Sequence, residues 1–139
     1  MLDQYVGTFW AFLFIIFNLL LQTLIATGAH RKQTQYVPGV VDENLGHNSF
    51  VFRSHRTFQN SLENTPIMLF TAVLGILVGL SPGQLGATLW IFALARFIHN
   101  VLYYVISTEK NPSPRSYFYA IALLSNIVLV VMIAIHLAS

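Results

Sequence analysis

The sequence predicts an all-α integral membrane protein, a single bundle of four transmembrane helices. The chain has 139 residues, of which 55% are hydrophobic and only 9% are charged. A soluble domain usually carries about 25% charged residues, so this composition favours a membrane protein. The chain contains three long apolar runs and a fourth helical segment whose first half is polar and whose second half is apolar. An apolar run of about 20 residues is long enough to cross a hydrocarbon core of about 30 Å.

We predict one domain over residues 1–139, with spans at about 5–29, 49–79, 84–106 and 114–137. The first run lacks the basic start of a signal peptide and is longer than its apolar region, so we expect a retained span. Pro66 lies inside the second span and predicts a kink or a loosened backbone hydrogen bond there. Ser113 and Pro114 are the residue types that favour the cap and first position of the fourth helix.

The basic residues predict the orientation of the bundle. Six of the seven Lys and Arg residues flank the first and third connections, namely Arg31, Lys32, Arg53, Arg56, Lys110 and Arg115. Because loops rich in Lys and Arg remain in the cytoplasm, we expect both connections on the cytoplasmic side. The short chain fits a multi-pass protein of a bacterial inner membrane, with a eukaryotic microsomal membrane as the alternative.

Several classes of chemistry are excluded or disfavoured by composition. The chain has no cysteine, which excludes disulfides, thiolate metal sites and a protein thiol nucleophile. Thiol chemistry would therefore need a thiol that arrives with a substrate. The histidines and carboxylates do not fall in metal-ligand spacings, and no basic run indicates nucleic acid, so we predict neither a metal nor a nucleic acid as partner.

Two polar stripes interrupt the apolar segments. At helical spacing, one face of the second helix carries Arg53, Arg56, Asn60 and Glu63, and one face of the third carries Arg96, His99 and Tyr103. A charge inside a span costs roughly 2.5–3.5 kcal/mol, so these faces should meet a partner, a cavity or a ligand. Another pair, Asn18 and Gln22, lies four residues apart on the first span and favours hydrogen bonds between helices over a substrate contact.

If the second and third helices pack together, the two stripes form one cluster, which the first turns of the fourth helix extend with Arg115, Ser116 and Tyr119. Such a set suits an anionic small molecule that also carries an ammonium group, because arginines pair with carboxylates and Glu63 can hold an amine. The alternative is an ion-pair network in which Glu63 neutralises Arg56 or Arg96. One carboxylate cannot neutralise four arginines, so the surplus positive charge favours a ligand.

At these residues the chain resembles the MAPEG family, the membrane-associated proteins in eicosanoid and glutathione metabolism. The resemblance rests on Arg56-x-x-x-Asn60-x-x-Glu63, Arg96-x-x-His99-x-x-x-Tyr103, Pro114-Arg115-Ser116-x-x-Tyr119 and Thr27-Gly28-x-x-Arg31. It covers nearly the whole chain. The Arg-Ser pair before a tyrosine looks closest to the branch of microsomal glutathione transferase and prostaglandin E synthase.

The resemblance implies a homotrimer of four-helix subunits with glutathione, as co-substrate, bound between neighbouring subunits near the cytoplasmic face. Arg115 would stabilise the glutathione thiolate, with Ser116 as a second donor. The implied glutathione-binding residues are Arg31, Arg56, Asn60, Glu63, His99, Tyr103 and Tyr119.

The implied activity is that of a glutathione transferase, with peroxidase activity as a further option, acting in detoxification on lipophilic electrophiles or hydroperoxides that enter from the bilayer lipid. No residue reproduces the aspartate proposed for the prostaglandin isomerase, which favours a general transferase. The alternative is a non-enzymatic membrane scaffold, or a lipid- or anion-binding protein, that retains the glutathione-type pocket. A small transporter is disfavoured, because the two halves of the chain show no matched repeats or broken helices.

Overall fold

The computed structural model describes residues 2–139, which fold into a bundle of four α-helices. The helices are α1 (Val6–Arg31), α2 (Phe50–Leu77), α3 (Pro82–Val105) and α4 (Pro114–Ala138), and a short 3-10 turn, Leu2–Tyr5, precedes α1. The predicted all-α class is therefore confirmed. The longest connection, residues 32–49, contains only turns and one isolated bridge between Val37 and Val40.

Local chemistry explains where α2 begins and ends. The Ser49 hydroxyl accepts the backbone N–H of Phe52 at 3.4 Å, which caps the first turn. The helix continues through Pro66. It stops before Gly79, whose φ of 75° favours glycine, and the Leu80 N–H then returns to the Gly75 carbonyl at 2.9 Å.

The most extensive helix pair is α3 with α4, while α1 packs against α2 and α3, and α2 also packs against α3. Their shared core contains the fully buried Met68, Leu85, Leu89, Phe92 and Leu129. Lipid tails are as apolar as these side chains, so close van der Waals packing must hold the helices together. At Gly75 the fit is tight, because an added Cβ would lie 3.2 Å from Cδ1 of Leu85.

Three segments, Leu2–Arg31, Pro82–Val105 and Pro114–Ala138, are long and apolar enough to cross a membrane. Large apolar side chains cover their outer faces, as at Leu24, which is 71% exposed. These features confirm the integral membrane bundle. Helix α2 falls outside this set, and its first half carries Arg53, Arg56 and Glu63. The four predicted spans, the homotrimer and the orientation stay predictions.

Three long-range hydrogen bonds fix the end of the bundle opposite the long connection. The Tyr5 hydroxyl donates to the Leu80 carbonyl at 2.7 Å, and the Trp90 indole donates to the Gly7 carbonyl at 3.0 Å. A ring N–H of His136 donates to the Val78 carbonyl at 2.9 Å. The predicted site residues lie toward the other end, where polar side chains and the long connection meet.

Candidate functional site

The first turn of α4 holds Arg115 in a defined position. Its Nη2 donates to the Thr108 carbonyl at 2.9 Å, and its Cζ lies 4.0 Å from the centroid of the Tyr103 ring. This arrangement is a cation–π contact that fixes the plane of the guanidinium. The Nη1 atom is buried and has no hydrogen-bond partner within residues 2–139. Arg115 therefore keeps one oriented, charged donor for a ligand.

Ser116 caps the same helix. Its Oγ accepts the backbone N–H of Ser113 at 3.1 Å and lies 3.3 Å from Oγ of Ser113. Pro114 occupies the first helical position, as predicted, and Ser113 is the cap residue. The Ser116 hydroxyl thus belongs to the structure that orients Arg115, and as a hydroxyl it also has a hydrogen to donate.

His99 connects α3 to the start of α4. Its Nδ1 lies 3.0 Å from the backbone carbonyl of Arg115, and because a carbonyl can only accept, Nδ1 is the protonated nitrogen. In the neutral ring Nε2 is then an acceptor, and it is buried and unpartnered in the described part of the chain. The rings of Tyr103 and Tyr119 pack beside it, with centroids at 5.8 and 6.1 Å.

His47 is a site residue that the sequence did not identify. Its Nε2 lies 3.4 Å from the Tyr103 hydroxyl, so the long connection folds over the cluster on α3 and α4. Burial lowers the pKa of His47, and the positive charge of Arg115 lowers it further. Nothing in the local sequence indicates this contact, because it depends on how an 18-residue connection returns to the bundle.

Arg53 anchors that connection. Its Nη1 donates to the carbonyls of His47 and Asn48 at 2.6 and 3.1 Å, and its Nε donates to the Tyr104 carbonyl at 3.3 Å. A Ser107 hydroxyl also donates to the His47 carbonyl, at 2.9 Å. Arg53 is therefore committed to structural contacts, unlike the exposed Arg56, the other arginine of the same stripe.

We call His99, Tyr103, Arg115, Ser116 and Tyr119 the inner cluster; these five predicted site residues lie together in one chain. The other predicted residues lie elsewhere.

Arg56, Asn60 and Glu63 form a second group, which we call the α2 row. Arg56 and Glu63 are exposed, and Asn60 is half-buried with its Oδ1 buried and unpartnered in the described chain. The face of α2 that turns into the bundle is instead lined by small residues, Ser54, Thr57, Ser61 and Thr65. The expectation that the whole stripe would pack against α3 is wrong for Arg56 and Glu63. Arg56 lies one residue before the buried Thr57, and Glu63 lies two residues after the buried Ser61, so both side chains leave α2 on a different face from the buried residues.

Arg31 lies apart from both groups, at the end of α1. It is exposed and borders an open cavity of about 530 Å³ between α1, the long connection and the start of α2. His30, Tyr36, His55 and Gln59 also line this cavity. Within one chain, Arg31 and the inner cluster are therefore different sites.

Arg96 does not pair with Glu63. Its Nη2 donates to the Ser61 hydroxyl at 3.1 Å, on the opposite face of α2 from Glu63. Gln22 makes the predicted contact between helices, because its Oε1 accepts from the Ser61 hydroxyl at 2.7 Å. Asn18 instead donates to the Phe14 carbonyl within α1.

Comparison with protein families extends this description. A family model described as "MAPEG family" matches residues 7–135, which is nearly the whole chain. Neither the comparison with curated proteins nor the comparison with solved structures finds a match. MAPEG proteins are membrane proteins that include glutathione transferases and related enzymes. The helical bundle, its apolar spans and this match together establish that the chain belongs to the MAPEG family.

Proposed function

We propose that the protein is a membrane-bound glutathione transferase and peroxidase that activates the glutathione thiol as a thiolate. The observation that carries this proposal is the buried, unpartnered Nη1 of Arg115 at the start of α4. A guanidinium is charged at every relevant pH, and a helix N-terminus also favours negative charge. An anion is the ligand that can pair with the guanidinium and also interact favourably with the N-terminus of α4.

The energetic demand on Arg115 is moderate. A free thiol has a pKa of about 8.5, and a fall of about 2 units requires about 2.7 kcal/mol of preferential thiolate stabilisation. A charge-assisted hydrogen bond is worth about 1.5–3 kcal/mol, so Arg115 can supply most of it. The Ser116 hydroxyl and the helix dipole would supply the remainder.

The α2 row and Arg31 suit the rest of glutathione, which has two carboxylates and one ammonium group. Arg31 and Arg56 would each bind a carboxylate, Glu63 would bind the ammonium, and Asn60 would bind an amide. His99, Tyr103 and Tyr119 would form the wall of the pocket beside the thiol. Because Arg31 is remote from the inner cluster within one chain, we place glutathione between subunits of a homotrimer.

In the proposed reaction the thiolate sulfur attacks an electrophilic carbon of a lipophilic substrate, and a C–S bond forms as the leaving group departs with its electron pair. With a hydroperoxide, sulfur attacks the terminal oxygen, and an S–O bond forms as the O–O bond breaks. The glutathione sulfur leaves as a sulfenic acid, and the released alkoxide takes a proton from water to become the alcohol. The apolar substrate would reach the site from the bilayer, since exposed apolar side chains surround the helices. We place the site on the cytoplasmic side of a bacterial inner membrane.

The decisive experiment is an ultraviolet difference titration of the detergent-solubilised protein with glutathione, which follows thiolate absorbance near pH 7. We expect a saturable signal in the wild type and in Lys110→Ala, which removes an exposed cation from the neighbouring loop. Arg115→Ala should lose most of the signal while still binding glutathione, and Arg115→Lys should retain part of it. Glutathione binding with no thiolate in the wild type would instead favour the scaffold or binding protein.

A further inference from the structure

The middle of α3 contains a buried positive charge that the proposed function does not use. Arg96 is only 5% exposed, and its guanidinium remains charged even when buried. Its Nη2 donates to Ser61, but Nε and Nη1 have no hydrogen-bond partner within residues 2–139. An unpaired buried charge with unsatisfied donors is strongly unfavourable, so a ligand that accepts hydrogen bonds is expected there.

No carboxylate in the described chain neutralises Arg96 through a hydrogen bond. The acidic residues of the sequence are Asp3, Asp42, Glu43, Glu63 and Glu109. Glu63 is the acid nearest in sequence to Ser61, the residue that Arg96 contacts. Two residues along a helix correspond to a rotation of about 200°, and Glu63 is accordingly exposed on the far side of α2.

A small cavity lies beside Arg96. It has a volume of about 10 Å³ and is bordered by Arg96 together with the polar Asn18, Gln22, Ser61 and Asn100. A space of this size holds one water molecule, and because a halide ion is somewhat larger, its binding requires small outward shifts of the side chains that line the cavity. It is too small for a carboxylate side chain of another subunit to enter without a rearrangement of the bundle.

The cavity wall carries no negative charge and offers several donors, beside one amide oxygen, Oδ1 of Asn100, which lies 3.5 Å from the Ser61 hydroxyl. The Ser61 hydroxyl hydrogen is used by Gln22 Oε1 at 2.7 Å. The amide nitrogens of Asn18 and Gln22 each donate once, to the Phe14 and Asn18 carbonyls, and a primary amide has a second hydrogen to donate. Together with Arg96 Nε and Nη1, these groups would surround a small acceptor with N–H donors.

We propose that this cavity binds one monatomic anion, of which chloride is the abundant example. Water could accept the same hydrogen bonds, but it would leave the charge of Arg96 uncompensated, because no carboxylate of the described chain makes a hydrogen bond to its guanidinium. A halide supplies both the acceptor and the negative charge. The inference concerns the centre of the bundle and is independent of glutathione binding.

The test measures the thermal unfolding midpoint of the full chain in detergent, at constant ionic strength, as sodium gluconate is replaced by sodium chloride or bromide. Because a ligand that binds only the folded state raises this midpoint, we expect a saturable rise of about 3 °C or more with either halide. Lys110→Gln removes an exposed charge and should keep the rise. Arg96→Gln should abolish it.

Equal midpoints in gluconate and chloride would overturn the proposal and assign water to the cavity, and so would a halide response that persists in Arg96→Gln. If Arg96→Gln does not yield folded protein, wild-type crystals grown in bromide provide the second measurement. An anomalous bromide peak at hydrogen-bonding distance from the Arg96 guanidinium would support the site. Density for a light atom with no anomalous signal would overturn it.

Discussion

The inner cluster and the α2 row each contain an arginine, but the two arginines have opposite environments. In the inner cluster Arg115 is held by the Thr108 carbonyl and the Tyr103 ring, and His99 is tied to the Arg115 backbone. In the α2 row, the side chains of Arg56 and Glu63 are exposed and make no hydrogen bond within residues 2–139. One chain can therefore orient Arg115 by itself, whereas the groups that we propose for the rest of glutathione face outward, as a site shared between subunits would require.

The largest expected effect concerns that sharing. Arg31→Ala and Arg115→Ala should each have little activity as separate oligomers. If Arg31 of one chain completes the site of its neighbour, mixed trimers should regain activity at about one site in three, since a trimer that contains both variants has one interface at which an intact Arg115 meets an intact Arg31. Each variant carries a different affinity tag, and the two are co-expressed. The measurement is the transferase activity of the oligomers that are purified through both tags in succession.

A mixture no more active than the separate variants would contradict a site shared in this way. The control is a co-expressed mixture of Arg115→Ala with Arg115→Lys, in which no interface regains a wild-type Arg115. It should show no gain over the more active parent.

Glu63→Gln should weaken glutathione binding by roughly 10-fold or more, because a charge-assisted hydrogen bond is worth about 1.5–3 kcal/mol. We expect KM for glutathione to rise while kcat changes little, since this contact is distant from sulfur and equal in ground and transition states. Steady-state kinetics against glutathione and against an analogue without the amine provide the measurement. For the analogue, KM should be the same in Glu63→Gln and in the wild type. If Glu63→Gln raises KM for the analogue as much as it raises KM for glutathione, Glu63 does not bind the ammonium group.

Two replacements of His99 distinguish the roles of its two ring nitrogens, and their effects should be smaller than that of Glu63→Gln. His99→Asn keeps a donor near the Arg115 carbonyl but removes the Nε2 acceptor, so glutathione affinity should fall about 5-fold, the value of one hydrogen bond of about 1 kcal/mol. The pH profile of thiolate formation should stay near that of wild type. His99→Leu removes both functions and should shift the profile to higher pH, because Arg115 loses its backbone support; identical profiles for the two variants would contradict this division.

The smallest expected effect is a pH dependence from His47. Its pKa in the folded protein is lowered from the usual 6.5 by burial and by Arg115, so the unfolded chain binds the proton more tightly. Stability should therefore decline as the pH falls below about 6.5 and level off below the folded-state pKa. Thermal unfolding midpoints between pH 7.5 and 5 should show this decline, and His47→Gln should flatten it relative to His136→Gln, which removes an exposed histidine at the opposite end. An unchanged slope in His47→Gln would show that another group causes the decline.

The candidate site could be predicted in part from the sequence. The spacing of Arg96, His99 and Tyr103 places them on one face of α3, and all three are indeed buried. The same reasoning placed Arg53, Arg56, Asn60 and Glu63 on one face of α2, but it could not state which face meets α3. Each residue of a helix is rotated by about 100° from the one before it, and a rotation of about this size separates the α2 row from the buried face that contains Ser61 and Thr65. His47 was missed because a long connection has no periodicity from which its contacts can be inferred.

The sequence by itself determined the helical class, the membrane setting and the family resemblance, because these depend on composition and on spacing along the chain. Short-range chemistry likewise determined the cap of α4 by Ser113 and Pro114. Only the tertiary structure decided that Arg53 anchors the long connection, that Arg96 contacts Ser61 rather than Glu63, and that Arg56 and Glu63 face outward. Those outcomes depend on how each helix is rotated about its own axis, which is fixed by close packing at residues such as Gly75 and Leu85 and not by the local sequence.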